Sequence, residues 1–236
     1  MKSEGQIAVE LQEHMGNCRS VAESAWTSSY DYQKKNSRSI EDVERVVNLL
    51  ADSKHSVPFE SIVFRFWIKL PIQTDRQHMT HRLQSASGAS GRYRTMPSEW
   101  LAVPDDIYDI LDILQTDKSG DFIFTAAKYN QFCENSNKFY QEELVKLKAV
   151  EKAGKITNAQ YKRLREFLRG VLPQNNMTER VTVINLRSFA NYYKLRSKAD
   201  AQPEIQTIAR LMLEEIKEKN VCPIAISALE RNYWII

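Results

Sequence analysis

Cysteine and glycine are both scarce in this sequence. Its 236 residues include three cysteines and seven glycines. Because Cys18, Cys133 and Cys222 are odd in number and widely spaced, they predict neither a disulfide framework nor a metal site. Such sparse cysteine usage is typical of proteins in a reducing compartment, and the expected location is therefore cytoplasmic.

Several short functional signatures are absent as well. The sequence contains no G-x-G-x-x-G after a strand, no Walker loop, no H-E-x-x-H and no G-x-S-x-G, which argues against common dinucleotide folds, phosphate loops, zinc proteases and hydrolases. No apolar run approaches a membrane span and residues 1–35 contain no signal-peptide core, so no membrane partner is expected. The near balance of 33 basic and 30 acidic residues does not indicate a nucleic-acid partner.

The hydrophobic pattern that is present predicts an α+β fold. Apolar residues recur at helical spacing in residues 40–50, whereas residues 63–70 alternate between apolar and polar side chains, as a strand does. Further helices are predicted around residues 107–114, 144–150, 161–168, 186–195 and 204–219, and a short strand at 181–184. Because the strands are few and do not alternate with helices, we expect a mixed sheet flanked by helices. The expected organisation is one compact domain over residues 1–236, with an extended helical segment at about 100–160.

One stretch, T-H-R-L-Q-S-A-S-G-A-S-G-R-Y at residues 80–93, places two of the seven glycines between arginines. Arg82 and Arg92 offer planar cationic donors, and Gly88 and Gly91 let backbone N–H groups approach an anion closely. With the serine hydroxyls, this combination suits a nucleotide monophosphate. Composition alone favours a simpler alternative, a flexible Ser/Gly loop with incidental arginines.

Four blocks between residues 55 and 206 together resemble the flavin-dependent thymidylate synthase family. The family signature R-H-R-x-x-S-x-N-E-x-S-x-R-Y is matched at His81, Arg82, Ser85, Ser90, Arg92 and Tyr93. The other blocks are H-S-V-P-F-E-S at residues 55–61, R-G-V-L-P at 169–173 and N-L-R-S-F-A-N-Y-Y-K-L-R-S-K-A-D-A-Q-P-E-I-Q at 185–206. The segment between Tyr93 and Arg169 is longer than the family usually has, and the resemblance assigns it no function.

The resemblance implies an enzyme that methylates C5 of a uracil nucleotide, either dUMP or UMP or both. In this family reduced FAD is the hydride donor, and NADPH and methylenetetrahydrofolate are co-substrates. The implied substrate-binding residues are Gln77, Ser90, Arg92, Arg169 and Arg196, of which Ser90 and Arg196 would take part in catalysis. The implied cofactor-binding residues are His55, His81, Arg82, Asn185, Arg187 and Asn191. The family also implies a homotetramer whose sites are shared between subunits.

Three positions depart from the family signature. Thr80 replaces an arginine that faces the flavin phosphates, and Ser87 and Gly88 replace Asn and Glu beside the nucleotide. Because the change from Glu to Gly removes bulk and negative charge, we expect a roomier pocket that admits the 2′-OH of UMP. Two alternatives stay open: a non-catalytic nucleotide-binding protein that has lost flavin, and an enzyme whose product is hydroxymethylated.

Overall fold

A computed structural model of the protein describes residues 4–29, 38–81, 83–116, 125–232 and 234. The strands in these residues are β1 (Glu4–Gly5), β2 (Ala8–Met15), β3 (Val63–Pro71), β4 (Gln84–Gly88), β5 (Trp100–Leu101) and β6 (Met177–Asn185). The α-helices are α1 (Cys18–Ser29), α2 (Ile40–Asp52), α3 (Ile72–His78), α4 (Asp105–Thr116), α5 (Ala126–Lys152), α6 (Asn158–Leu168), α7 (Leu186–Arg196), α8 (Pro203–Glu218) and α9 (Pro223–Arg231). The predicted α+β class is confirmed. No helix in the described part of the chain combines the length and apolar character of a bilayer span.

The main sheet has four strands in the order β2-β3-β6-β4. β2 pairs antiparallel with β3, and β4 pairs antiparallel with β6. Along β3 the side chains of Phe64, Phe66 and Ile68 are fully buried, while those between them are partly exposed. The alternation predicted for this segment is therefore confirmed, and one face of β3 contributes to the hydrophobic core.

The small-residue segment Gln84–Gly88 is a strand and not a loop. It pairs with β6 in a register that runs from Gln84 opposite Ile184 to Gly88 opposite Arg180. The residues after Gln84 are exposed, so this edge strand buries little apolar surface. Main-chain hydrogen bonds therefore hold it in the sheet. The loop interpretation is wrong for these residues because a strand without buried side chains leaves no hydrophobic alternation in the sequence.

Helices α4 and α5 lie within residues 100–160, where the sequence predicts an extended helical segment, and α6 follows at Asn158–Leu168. The 27-residue α5 extends well beyond its predicted part, since much of its surface is polar and carries no clear periodic pattern. The hydroxyls of Thr125 and Thr157 cap α5 and α6, each accepting a hydrogen bond from a backbone N–H three residues later. Gly154, with φ of +70°, follows the end of α5, where a left-handed residue favours glycine.

The chain divides into two compact units. The helical unit comprises Met1–Gln6, Leu70–Asp75 and Ala89–Thr178, and the sheet unit comprises Ile7–Lys69, Arg76–Gly88 and Glu179–Ile236. In the helical unit, the buried residues Met96, Tyr140 and Leu144 form a cluster against which Leu168 and Leu172 pack. In the sheet unit, α8 packs on β2, and α2 packs against α1 and α9. The assignment of the whole chain to a single domain stays a prediction.

Candidate functional site

The helical unit contains Ser90, which lies in a loop of residues 89–96 (the 89–96 loop). The Ser90 carbonyl accepts hydrogen bonds from the N–H groups of Tyr93 and Arg94, both at 3.0 Å, and these bonds close a turn. The Ser90 hydroxyl accepts a hydrogen bond from the backbone N–H of Arg92 at 3.3 Å. Because the hydroxyl is the acceptor in that bond, its own proton can be donated to a ligand.

Arg92 and Arg169 both lie beside Ser90 in this unit. The Nε of Arg92 is 2.6 Å from a carboxylate oxygen of Glu166 on α6. Arg169 caps the C-terminal end of α6, and its Cδ lies 3.2 Å from the position that a Cβ on Gly91 would occupy. The structure therefore brings together the three predicted substrate residues of the helical unit.

Glu166 is a member of this cluster that sequence reasoning missed. It precedes Arg169 by three residues, and residues at that spacing share one face of a helix. The carboxylate accepts from Arg92 and also lies 3.7 Å from Arg163. Its negative charge orients the Arg92 guanidinium, which is more than half exposed, and holds one of its N–H groups.

In the sheet unit, the predicted residues His81 and Arg196 bind each other. Arg196 Nε donates a hydrogen bond of 2.7 Å to His81 Nε2, and Arg196 Nη2 donates one of 3.3 Å to the Thr80 hydroxyl. Partial burial, together with the Arg196 charge, lowers the pKa of His81 to about 4. His81 is therefore neutral at neutral pH, which lets Nε2 accept the arginine N–H. Thr80, where the family has arginine, here orients a second arginine nitrogen.

Gln77 is the other predicted substrate residue of the sheet unit, and its amide is only partly satisfied. Its Nε2 donates a hydrogen bond of 2.9 Å to Gln202 Oε1. Its own Oε1 is buried, and the described residues offer it no hydrogen-bond partner. An unpaired buried acceptor is costly, so this enclosed oxygen lowers the stability that the Gln77 side chain contributes to the fold.

Next to these residues is a buried pair, His78 and Tyr192, which the sequence motifs did not indicate. His78 Nδ1 lies 3.0 Å from the Tyr192 hydroxyl, and both side chains are almost fully buried. Burial, reinforced by the positive charges of Arg180 and Arg196, lowers the pKa of His78 to about 3. The Tyr192 ring meets the rings of His78 and His81 edge-on, with centroid distances of 5.1 and 4.7 Å. Tyr192 thus links a buried imidazole to the one that binds Arg196.

The predicted cofactor residues His55, Arg187 and Asn191 line two cavities of the sheet unit. A cavity of about 950 Å³ is lined by His55, Trp26, Glu60 and Ser61 among others. A second, of about 350 Å³, is lined by Arg187 and Asn191 together with Lys54, Lys194 and Trp234. The exposed ion pair between Arg187 and Glu60 connects the walls of the two cavities. The two lysines and the tryptophan add a cationic and aromatic lining that sequence reasoning missed.

The two remaining predicted cofactor residues have different outcomes. The Asn185 side chain caps α7, because its Oδ1 accepts a hydrogen bond of 2.8 Å from the Ser188 N–H. This contact gives Asn185 a structural role, while its role toward a cofactor stays a prediction. Arg82 lies outside the described residues.

The fold is shared with a solved nucleotide-modifying enzyme. The chain superposes on the crystal structure of the UMP/dUMP methylase PolB from Streptomyces cacaoi bound with 5-Br dUMP, with a TM-score of 0.70, covering 100% of this chain and 99% of PolB. The same enzyme bound with 5-Br UMP matches with a TM-score of 0.66. At 22% and 23% sequence identity, these matches show the fold.

Sequence relatives define the family. The model of the Thy1 family, described as thymidylate synthase complementing protein, matches residues 10–224. A flavin-dependent thymidylate synthase from Kosmotoga olearia is 31% identical over 93% of this chain and 88% of the relative. One from Thermus thermophilus is 28% identical over 95% of this chain and 76% of the relative. The chain belongs to the Thy1 family of flavin-dependent thymidylate synthases, and the predicted family and enzyme class are confirmed.

Proposed function

We propose that this enzyme methylates C5 of a uracil nucleotide, with methylenetetrahydrofolate as carbon donor, reduced FAD as hydride donor and NADPH as the source of reducing equivalents. The observation that carries the proposal is the set of hydrogen bonds that holds the Arg196 guanidinium. Its Nε is held by a neutral imidazole and its Nη2 by a hydroxyl, so no carboxylate among its described contacts neutralises the guanidinium. Such a fixed cation can stabilise negative charge that develops on an oxygen of the uracil ring.

The nucleotide is proposed to contact Ser90, Arg92 and Arg169 of the helical unit. Two guanidinium groups suit a 5′-phosphate, because each can donate two parallel hydrogen bonds to it. The described contacts of the Ser90 hydroxyl include no general base, so we assign Ser90 a hydrogen-bonding role in catalysis rather than that of a nucleophile. Gln77 is proposed as a further nucleotide contact because the family resemblance implies it.

The cofactor is proposed to contact His55, His81, Arg82, Asn185, Arg187 and Asn191. The donors of the smaller cavity fit a flavin dinucleotide, since Arg187, Lys54 and Lys194 are cations suited to its phosphates and Trp234 offers an aromatic face. When bound, the reduced flavin supplies the hydride that completes the methyl group. The chain itself would hold the reactants, exclude water and stabilise charge on the uracil.

We infer that UMP is accepted alongside dUMP, because of Gly88. A Cβ built on Gly88 would meet only the Glu179 carbonyl oxygen, at 3.9 Å, so the site has open space where the family carries a glutamate. Gly88→Glu should fold normally and should restrict turnover of UMP by about tenfold or more relative to dUMP, since the added side chain takes up space that the 2′-OH would need. An unchanged UMP to dUMP ratio in this variant would contradict the role of Gly88.

We propose a cytoplasmic homotetramer whose sites are shared between subunits. Support comes from large apolar side chains left exposed on the helical unit, including Ile113, Phe132, Val145 and Phe167. The three cysteines, free and buried, accord with a reducing compartment. Light scattering coupled to gel filtration measures the assembly, and a monomer at micromolar concentration would contradict it.

The function is tested by incubating purified protein with FAD, NADPH and methylenetetrahydrofolate, and with dUMP or UMP in separate reactions. The mass of each product distinguishes a methylated from a hydroxymethylated nucleotide. We expect methylation of both nucleotides and a flavin absorbance band in the purified protein. Nucleotide binding without any flavin band or product would instead favour the non-catalytic alternative.

A further inference from the structure

We propose that Tyr140 and Gln141, adjacent residues of α5, are positioning residues for the 89–96 loop. They hold the backbone of Met96, and Met96 in turn holds the part of the loop that carries Ser90 and Arg92. This assignment gives the long middle helix a role in binding the nucleotide, and it rests on the proposed function of those two residues.

The two side chains hold both main-chain polar groups of Met96. The Met96 N–H donates a hydrogen bond of 3.3 Å to the Tyr140 hydroxyl, and the Met96 carbonyl accepts one of 3.1 Å from Gln141 Nε2. Tyr140 is fully buried and Met96 is 6% exposed. Because neither backbone group can turn to bulk water at this burial, loss of one partner leaves it unsatisfied.

Met96 transmits its position to Gly91 by direct packing. From the position that a Cβ on Gly91 would occupy, Met96 Cγ is 3.2 Å away and Met96 Sδ is 3.3 Å away. Arg169 Cδ is 3.2 Å from the same point. Gly91 lies directly between Ser90 and Arg92, so a shift of Met96 moves both ligand-facing residues and the neighbouring arginine.

Helix α5 is itself fixed by a buried amide pair. Asn137 and Asn176 exchange two side-chain hydrogen bonds of 3.0 and 2.8 Å, and both side chains are buried. Leu168 and Leu172, which lie on either side of Arg169 in the sequence, pack against the cluster of Met96, Tyr140 and Leu144. The helix therefore fixes the position of the 89–96 loop relative to the segment around Arg169.

The test compares Tyr140→Phe and Gln141→Met with Tyr129→Phe as a matched control. Y140F deletes the hydroxyl that accepts from Met96 and keeps the ring. Y129F deletes a hydroxyl of the same helix that accepts a hydrogen bond from Asn175 instead. Because Gln141 is only half-buried, Q141M keeps the test decisive if Y140F folds poorly.

Two measurements on the flavin-loaded protein decide the proposal: hydrogen exchange in a peptide that contains Met96, and nucleotide affinity by calorimetry with dUMP and UMP. Steady-state kinetics and the flavin absorbance spectrum are recorded as well. We expect Y140F and Q141M each to speed exchange in that peptide and to weaken nucleotide binding about fivefold, as loss of one net hydrogen bond implies. We also expect a raised KM for the nucleotide with kcat changed less than about twofold, and an unchanged flavin spectrum. Y129F should match the wild-type chain in both measurements.

Wild-type exchange and wild-type affinity in both variants would overturn the proposal, and so would an equal effect in Y129F. Failure of the proposed function has a different signature, because the wild-type chain would then bind neither dUMP nor UMP. In that case exchange at Met96 still decides whether Tyr140 and Gln141 hold the loop.

Discussion

Buried His78 should make the stability of this protein depend on pH in a defined interval. Its pKa is about 3 in the folded chain, against an ordinary value of 6.5, so between these values the unfolded chain binds a proton that the folded chain does not. The free energy of unfolding contributed by His78 is therefore fully present above pH 6.5 and falls as the pH falls toward 3. His81, whose pKa is also lowered, changes stability in the same direction.

The magnitude follows from the two pKa values. Between the two pKa values, each unit by which the pH falls lowers the free energy of unfolding by about 1.4 kcal/mol for one such group. Between pH 7 and pH 5, with most of the change below 6.5, His78 alone should lower the free energy of unfolding by about 2 kcal/mol. This is a large share of the stability of an ordinary domain, which is about 5–15 kcal/mol.

The assay is urea unfolding at pH 7 and pH 5, followed by far-ultraviolet circular dichroism at one protein concentration. His78→Asn removes the titrating ring and leaves an amide that can still bond to the Tyr192 hydroxyl. We expect the variant to be less stable than the wild-type chain at pH 7 but to lose about 2 kcal/mol less on going to pH 5. His81 and all other groups are common to both proteins and cancel in this difference.

The exposed His14 supplies the matched control, because its ring meets solvent before and after unfolding. His14→Asn should leave the difference between the two pH values as in the wild-type chain. If H78N lost the same free energy as the wild-type chain between pH 7 and pH 5, the buried neutral state of His78 would be refuted.

Three further predictions concern the proposed site. Gly91→Ala places a methyl group 3.2 Å from two side chains, so it should weaken nucleotide binding by about tenfold in calorimetry, whereas Gly170→Ala, with nothing within 4 Å, should not. Arg196→Lys keeps the charge but loses the planar donor set that binds His81, so kcat should fall by about 100-fold in steady-state assays, with little change in melting temperature. Arg187→Ala breaks an exposed ion pair worth at most about 1 kcal/mol, yet it should abolish the flavin absorbance of the purified protein.

Each of these has a contrary outcome. Equal nucleotide affinity in G91A and G170A would show that the crowding at Gly91 does not reach the ligand. A kcat for R196K within a few-fold of wild type would remove Arg196 from catalysis. Retention of flavin by the Arg187→Ala protein would separate that residue from the cofactor.

The parts of the fold that sequence predicted correctly are those whose side chains meet the core in a regular pattern. Residues 63–70 alternate because one face of β3 is buried, and residues 40–50 follow helical spacing because α2 buries one side. The sequence did not predict β4, because it is an edge strand of small, exposed residues that its backbone hydrogen bonds hold in place. The sequence predicted only part of α5, because a long helix with a polar surface shows no clear apolar stripe.

The sequence by itself determined the family, the fold class and the set of candidate residues, because motif identity and side-chain period are local properties of the chain. Tertiary structure alone decided which candidates act together. The bond between His81 and Arg196 joins residues 115 positions apart, and that between His78 and Tyr192 joins residues 114 apart. Met96 and Tyr140, 44 positions apart, meet because α5 packs beside the loop. Contacts at such separations depend on how helices and strands pack, and no local pattern in the sequence records them.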